Sequence, residues 1–227
     1  RDLLDESQKD LNKSKHQYIS NSQCDFVRNR KLPFDRVISS VLGMEGRSLN
    51  NERLYQFGCT IETPTSSAFI QQRNKIHYKA FEFLFHDFTT RAMNNNIQLF
   101  NGYRLFAVDG SDIQIASNPF DYDSHIQGKE GTKPYNLLHL DAMYDLLSNT
   151  YVDALVCKYR NMNERGALVD MVDRADISNP AIIIADRGYE SYNVLAHIQE
   201  KNWKFLIRVK DFSRHSSGII HALDLPK

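Results

Sequence analysis

Two aspartates stand where apolar strands give way to polar residues. Ala181-Ile182-Ile183-Ile184-Ala185-Asp186-Arg187-Gly188-Tyr189 is an apolar run rich in β-branched residues, and Asp186 is its first charged residue. The run is too short for a helix core and ends in a Gly-containing turn, so it reads as a strand buried on both faces. Leu105-Phe106-Ala107-Val108-Asp109-Gly110-Ser111 reads as a second strand ending the same way at Asp109. In open α/β sheets, ligands and catalytic groups collect at the carboxyl ends of such strands. Two carboxylates meeting there can share divalent cations, which activate an attacking oxygen and stabilise a leaving one in phosphoryl transfer. Hard oxygen ligands select Mg²⁺ or Mn²⁺ over zinc. The competing reading of each aspartate is a turn or helix-cap residue.

The elements that must position these acids follow from the pattern of the chain. From Tyr103 onward the order reads strand, a hairpin pair over Asn136–Leu147 and Tyr151–Arg160, a helix capped by Asn163, the strand ending at Asp186, a helix over Glu190–Asn202, and a strand over Trp203–Lys210. Helices between strands imply right-handed crossovers and parallel neighbours, and the hairpin adds an antiparallel pair. The expected fold is therefore α/β, a mixed sheet flanked by helices, in which the first strand lies beside the fourth and brings Asp109 to Asp186. The irregular stretch 117–134 reads as a long loop.

Ahead of this region the texture is helical. A polar lead is expected over 1–22, with a weak surface helix up to about Tyr18. A helical domain is expected over 23–100, ended at Asn94-Asn95-Asn96. Within it, Arg28, Arg30 and Lys31 form a basic knot before Pro33. A short helix near 66–76 exposes Gln71, Gln72, Arg73 and Lys75, in the manner of a helix-turn-helix whose last helix faces a groove. A small bundle with one polar helix facing water explains the same pattern. The aromatic stripe of Phe81, Leu84, Phe85 and Phe88 reads as core.

Bulk composition narrows the classes. The 227 residues carry 28 Lys/Arg and 28 Asp/Glu, which excludes a globally basic, histone-like binder. Residues 1–100 hold 14 Lys/Arg against 11 Asp/Glu and the remainder 14 against 17, a mild bias toward a nucleic-acid-contacting front and a carboxylate-bearing back. Three cysteines without short spacing indicate neither a disulfide framework nor a zinc site, and eight scattered histidines include no i,i+4 pair. No apolar run reaches membrane-spanning length and no signal peptide opens the chain. The expectation is a cytoplasmic protein with no membrane partner.

Taken in order and spacing, these segments resemble a known family. Val108-Asp109-Gly110-Ser111, Ile184-Ala185-Asp186-Arg187-Gly188-Tyr189 and Phe205-Leu206-Ile207-Arg208-Val209-Lys210 resemble the cores of bacterial insertion-sequence transposases of the family-four type. Phe26 to Phe34 and Ser67 to Ile76 resemble that family's DNA-binding front end. The resemblance spans about residues 23 to 215. It implies a ribonuclease-H-like catalytic core over 101–210 and an all-α DNA-binding domain ahead of it. It also implies two Mg²⁺ (or Mn²⁺) ions held by Asp109 and Asp186 as catalytic residues, double-stranded DNA as partner, a possible homodimer in a synaptic complex, and a bacterial, nucleoid-associated location. Arg187 and Tyr189 are expected to orient Asp186 or touch phosphate, or else to be structural, and Arg208 and Lys210 to meet DNA backbone.

One departure stands out. The family's third carboxylate lies on a later helix in a Tyr…Arg…Glu…Lys pattern, and nothing after Lys210 resembles it, so 211–227 is expected to be the start of a truncated insertion region and the chain to be catalytically incomplete alone. Glu164 and Glu190 sit near helix starts, where the helix dipole already explains acidic residues. A DNA-binding-only protein or inhibitor, and a ribonuclease-H-like nuclease, are the competing functions.

Overall fold

The computed structural model describes residues 1–28, 31–128 and 131–209. The chain divides into two compact units, Arg1–Arg91 and Ala92–Lys227. The expected DNA contacts Arg30 and Lys210, and the whole of 211–227, lie outside the described residues.

The first unit is built from α1 (Asp2–Lys13), α2 (Phe34–Leu42), α3 (Leu49–Phe57), α4 (Ser66–Arg73) and the start of α5 (Lys79–Asn95). Ser48 and Thr65 accept backbone N–H bonds at the starts of α3 and α4, as hydroxyl caps do. The stretch expected as a polar lead packs instead into the unit. Its few apolar residues, Leu3, Leu4 and Leu11, lie two helical turns apart on one stripe, and Leu11 is buried with Ile19, Phe34, Ile38, Ala80 and Leu84. Ile19 also forms an isolated antiparallel bridge with Ile76.

The second unit holds β1 (Arg104–Ile115), β2 (His125–Ile126), β3 (Tyr135–Asp145), β4 (Thr150–Lys158), α6 (Glu164–Arg174), β5 (Ala181–Ala185), α7 (Tyr192–Glu200) and β6 (Lys204–Ile207). The sheet runs β2-β3-β1-β5-β6, with β4 also on β3. β1, β5 and β6 are parallel, and β1, β3 and β4 are antiparallel, so the sheet is mixed. Helices α6 and α7 supply the two crossovers. Strand alternation sends Phe106, Val108, Met143, Ile183 and Ala185 to one face, where Leu168, Met171, Val172, Val194 and Ile198 bury them.

β1 differs from its expected form. It does not end at Asp109 but continues to Ile115, because β3 keeps pairing with it from Phe106↔Asp145 to Ile115↔Asn136. Asp109 therefore lies within a strand, at the level where the parallel neighbour β5 stops.

Candidate active site

The register places the two aspartates side by side. The last parallel pair is Val108↔Ala185, so the next residues, Asp109 and Asp186, follow at the same level of adjacent strands. Both are exposed. Each has one oxygen engaged by nearby backbone. Asp109 Oδ1 accepts from Gly110 N at 2.9 Å. Asp186 Oδ1 accepts from Gly188 N at 2.7 Å, capping the 3-10 turn Arg187–Tyr189. The cap and the exposed carboxylate coexist at Asp186, so the capping reading and the chemical reading are not exclusive.

Sequence reasoning discounted Glu164, which the fold brings to the same edge. It is the first residue of α6, after the cap Asn163, and two glycines mark its reach. A Cβ on Gly110 would meet Glu164 Oε1 at 3.0 Å and His139 Nε2 at 2.8 Å. A Cβ on Gly188 would meet Asp186 Oδ1 at 2.9 Å and Glu164 Oε2 at 3.6 Å. Glu164 thus spans from β1 to the Asp186 turn, over positions that only glycine leaves open. Glu190, the other acid weighed, is buried.

Behind Glu164 lies a second charged group. Gly110 pairs with Asp141 and Asp112 with His139, so both β3 side chains share the face of β1 that Val108 occupies. His139 Nδ1 is 2.8 Å from Asp112 Oδ1, which fixes the ring. Its Nε2 then faces Asp141 Oδ1 at 3.4 Å and Glu164 Oε1 at 3.8 Å, distances of charge pairing rather than hydrogen bonds. Burial works to lower the His139 pKa, but the Asp112 hydrogen bond and the charges of Asp141 and Asp112 prevail and the net shift is upward. Burial pushes the Asp141 carboxyl up, against the opposing charge of His139.

Tyr189, expected beside phosphate or as a structural residue, takes the structural role. Its ring is 1% exposed within the core of the sheet. Its hydroxyl, without a hydrogen-bond partner, is pushed well above the usual tyrosine range by burial and by the charges of Asp141, Glu164, Asp109 and Asp186. Four carboxylates therefore act on one buried hydroxyl. Arg187 and Arg208 are exposed, and Arg208 N bonds Ala185 O at 3.1 Å, which puts it at the strand end next to Asp186.

All-oxygen donors at a polar edge suit Mg²⁺ or Mn²⁺. Among the described residues no three His, Cys, Asp or Glu side chains gather round one point as a metal shell. Asp109 and Asp186 would hold an ion by their carboxylates, with the rest of its shell from outside these side chains. Among the described residues no salt bridge to Lys or Arg occupies either aspartate.

In the first unit, a cavity of about 950 Å³ is lined by Arg28, Lys31, Gln71, Gln72 and Lys75, together with Phe26 and Thr65. Five of the expected DNA contacts thus converge from two separate segments. Lys75 is held by Asp25 at 3.0 Å, and Lys31 lies 3.8 Å from Glu62. Arg73 is exposed on α4 outside this lining. Among the described residues no helix is long and apolar enough to cross a membrane.

Residues 100–219 match the family described as Transposase DDE domain. The structure is similar to a piggyBac transposase in a synaptic complex with hairpin DNA, at 10% identity and a TM-score of 0.45, over 79% of this chain. The chain spans about two fifths of that protein's chain, 41%. No curated protein sequence matches the chain.

Proposed function

This chain belongs to the transposase DDE domain family, and we propose that it serves cut-and-paste DNA transposition of the bacterial insertion-sequence type. Its sheet is then the ribonuclease-H-like catalytic core, with Asp109 and Asp186 as catalytic acids. The observation that carries this reading is the parallel register that ends β5 beside Asp109 and sets two carboxylates side by side at one edge.

Divalent ions, when bound, supply activation of a water or 3′-hydroxyl and stabilisation of the leaving oxygen. The chain's own part is to hold the two acids fixed. The Gly110 and Gly188 amides orient one oxygen of each and leave the other toward a ligand. Arg187 and Arg208, exposed beside Asp186, suit the phosphate backbone of double-stranded DNA. The Arg28, Lys31, Gln71, Gln72 and Lys75 cleft suits a second stretch of that DNA. Pairing of two transposon ends by two copies of the chain, in a bacterial cytoplasm, belongs to the same reading.

The test is local oxidation. With Fe²⁺ in place of Mg²⁺ and ascorbate present, backbone cuts are expected beside Asp109 and Asp186, suppressed by excess Mg²⁺ and lost in Asp109→Asn. Cuts spread evenly along the chain, or none, would refute the ion site.

A further inference from the structure

We propose that Glu164 is a third acid of the cation edge, acting on the ion from outside the Asp109–Asp186 pair and positioned there by His139. The proposal rests on the reading of those two aspartates as cation ligands.

Three observations converge on it. Glu164 Oε2 and Asp186 Oδ1 flank the same point above Gly188, and Glu164 Oε1 stands above Gly110, the residue after Asp109. A helix-start acid serving only the dipole has no need to reach across two strands. The imidazole that faces Glu164 is pinned from behind by Asp112 at 2.8 Å, and its Nε2 is buried with no hydrogen-bond partner among the described residues. It thus points a positive or donor group between Asp141 and Glu164, and of these two only Glu164, whose side chain is 39% exposed, can answer to a ligand. Finally, the buried Tyr189 hydroxyl, without a hydrogen-bond partner among the described residues, lies in the field of Asp141 and Glu164, and also of Asp109 and Asp186, so Glu164 stands on the same side of the sheet edge as the pair. Asp141, at 2% exposure, is too enclosed to meet an ion from solvent. Its part is to hold His139 from the other side.

Outer acids that orient a metal or its waters typically change affinity by about 10–100-fold when removed. The full chain and its Asp109→Asn, Asp186→Asn, Glu164→Gln and Glu200→Gln variants are titrated with MnCl₂ by calorimetry. The rise in melting temperature on adding MnCl₂ is followed against each variant's own metal-free baseline, so that a change in folding is not counted as a change in binding. Glu164→Gln is expected to lose about 10-fold or more in Mn²⁺ affinity, and each aspartate variant more than that. Glu200→Gln, at the exposed end of α7, binds as the unaltered chain does. If Asp186→Asn loses affinity while Glu164→Gln keeps it, Glu164 is a helix-start acid and the proposal falls with the two-aspartate reading intact. If both aspartate variants bind Mn²⁺ like the unaltered chain, or that chain does not bind it, the underlying reading falls and takes the proposal with it.

Discussion

Two groups of acids, one in each unit, are handled in opposite ways. In the helical unit, Glu6, Asp10 and Asp87 converge on a single guanidinium, with Arg91 at 3.1, 2.6 and 2.7 Å from them. Glu52 is likewise tied to its surroundings, its Oε1 accepting the Glu45 and Arg47 amides at 2.8 Å and closing the turn before α3, with the Arg47 guanidinium 3.9 Å from its Oε2. At the sheet edge, Asp109, Asp186, Asp141 and Glu164 share among the described residues one imidazole, which faces only two of them. Acids that hold structure come with their cations built in. Acids kept close together without them raise the energy of the empty site and lower it when a cation arrives, which marks the second group as the place for a ligand.

This contrast can be broken most forcefully by separating packing from charge within α6. Leu168→Ala removes a side chain buried under the sheet and is expected to cost about 2–5 kcal/mol in urea unfolding. Glu164→Gln, one turn earlier on the same helix, is expected to change stability by no more than about 0.5 kcal/mol. Comparable losses in the two would mean that the edge acids are structural and the contrast is false.

A smaller effect is expected from Gly110→Ala. The new methyl meets the pinned His139 ring at 2.8 Å and Glu164 at 3.0 Å, and overpacking of this kind costs about 1–3 kcal/mol by thermal melting. Gly46→Ala, where nothing lies within 4 Å but φ is +80°, separates plain backbone strain from this crowding.

The Arg91 cluster and the His139 cluster also differ in the sign of their pH dependence. Asp10 is lowered by the Lys13 hydrogen bond and the charges of Lys13 and Arg91. Asp87 is lowered because hydrogen bonds from Arg91 and Ser7 outweigh its burial. Both contributions are complete above the ordinary carboxylate value of 3.8 and are lost as pH falls through the depressed values. His139 is raised, so its contribution is complete below its ordinary 6.5 and is lost as pH rises through the elevated value. Asp112, Asp141 and Glu164 face it, with Cys157 across β4. Melting in EDTA should therefore show an acid limb reduced by Arg91→Ala, with Asp121 and its Lys158 partner keeping the remainder, and an alkaline limb removed by His139→Gln. A single limb shared by both variants contradicts the division.

The smallest effect belongs to the helical cleft. Arg28→Ala is expected to reduce the slope of log affinity for duplex DNA against log salt by about 0.9 and to leave Mn²⁺ affinity unchanged. A change in Mn²⁺ binding with no change in slope would reverse the assignment of the two regions.

Local pattern was enough to find β5, the β3–β4 hairpin, α6 with its Asn163 cap, and the two aspartates, because alternation, apolar runs and cap residues are written within a few positions of one another. The same pattern led to β1 being ended too early. Gly110-Ser111 looks like a turn, and only pairing with β3, whose residues lie about 25–40 positions further on, keeps the strand extended. α1 was read as a weak surface helix because its apolar residues are sparse, although Leu4 and Leu11, seven positions apart, share a helix face that could have placed Leu11 in a core. What the chain by itself determined, then, is which segments become strands and helices and which acids stand at their ends. Tertiary structure alone decided that Tyr189 turns inward, that Glu164 crosses above two glycines, and that His139 and Asp141 stand behind it. The reason is physical: periodicity fixes which way a side chain faces within its own element, whereas meetings between elements depend on cross-strand register and on where a crossover helix begins, and neither is encoded in neighbouring residues.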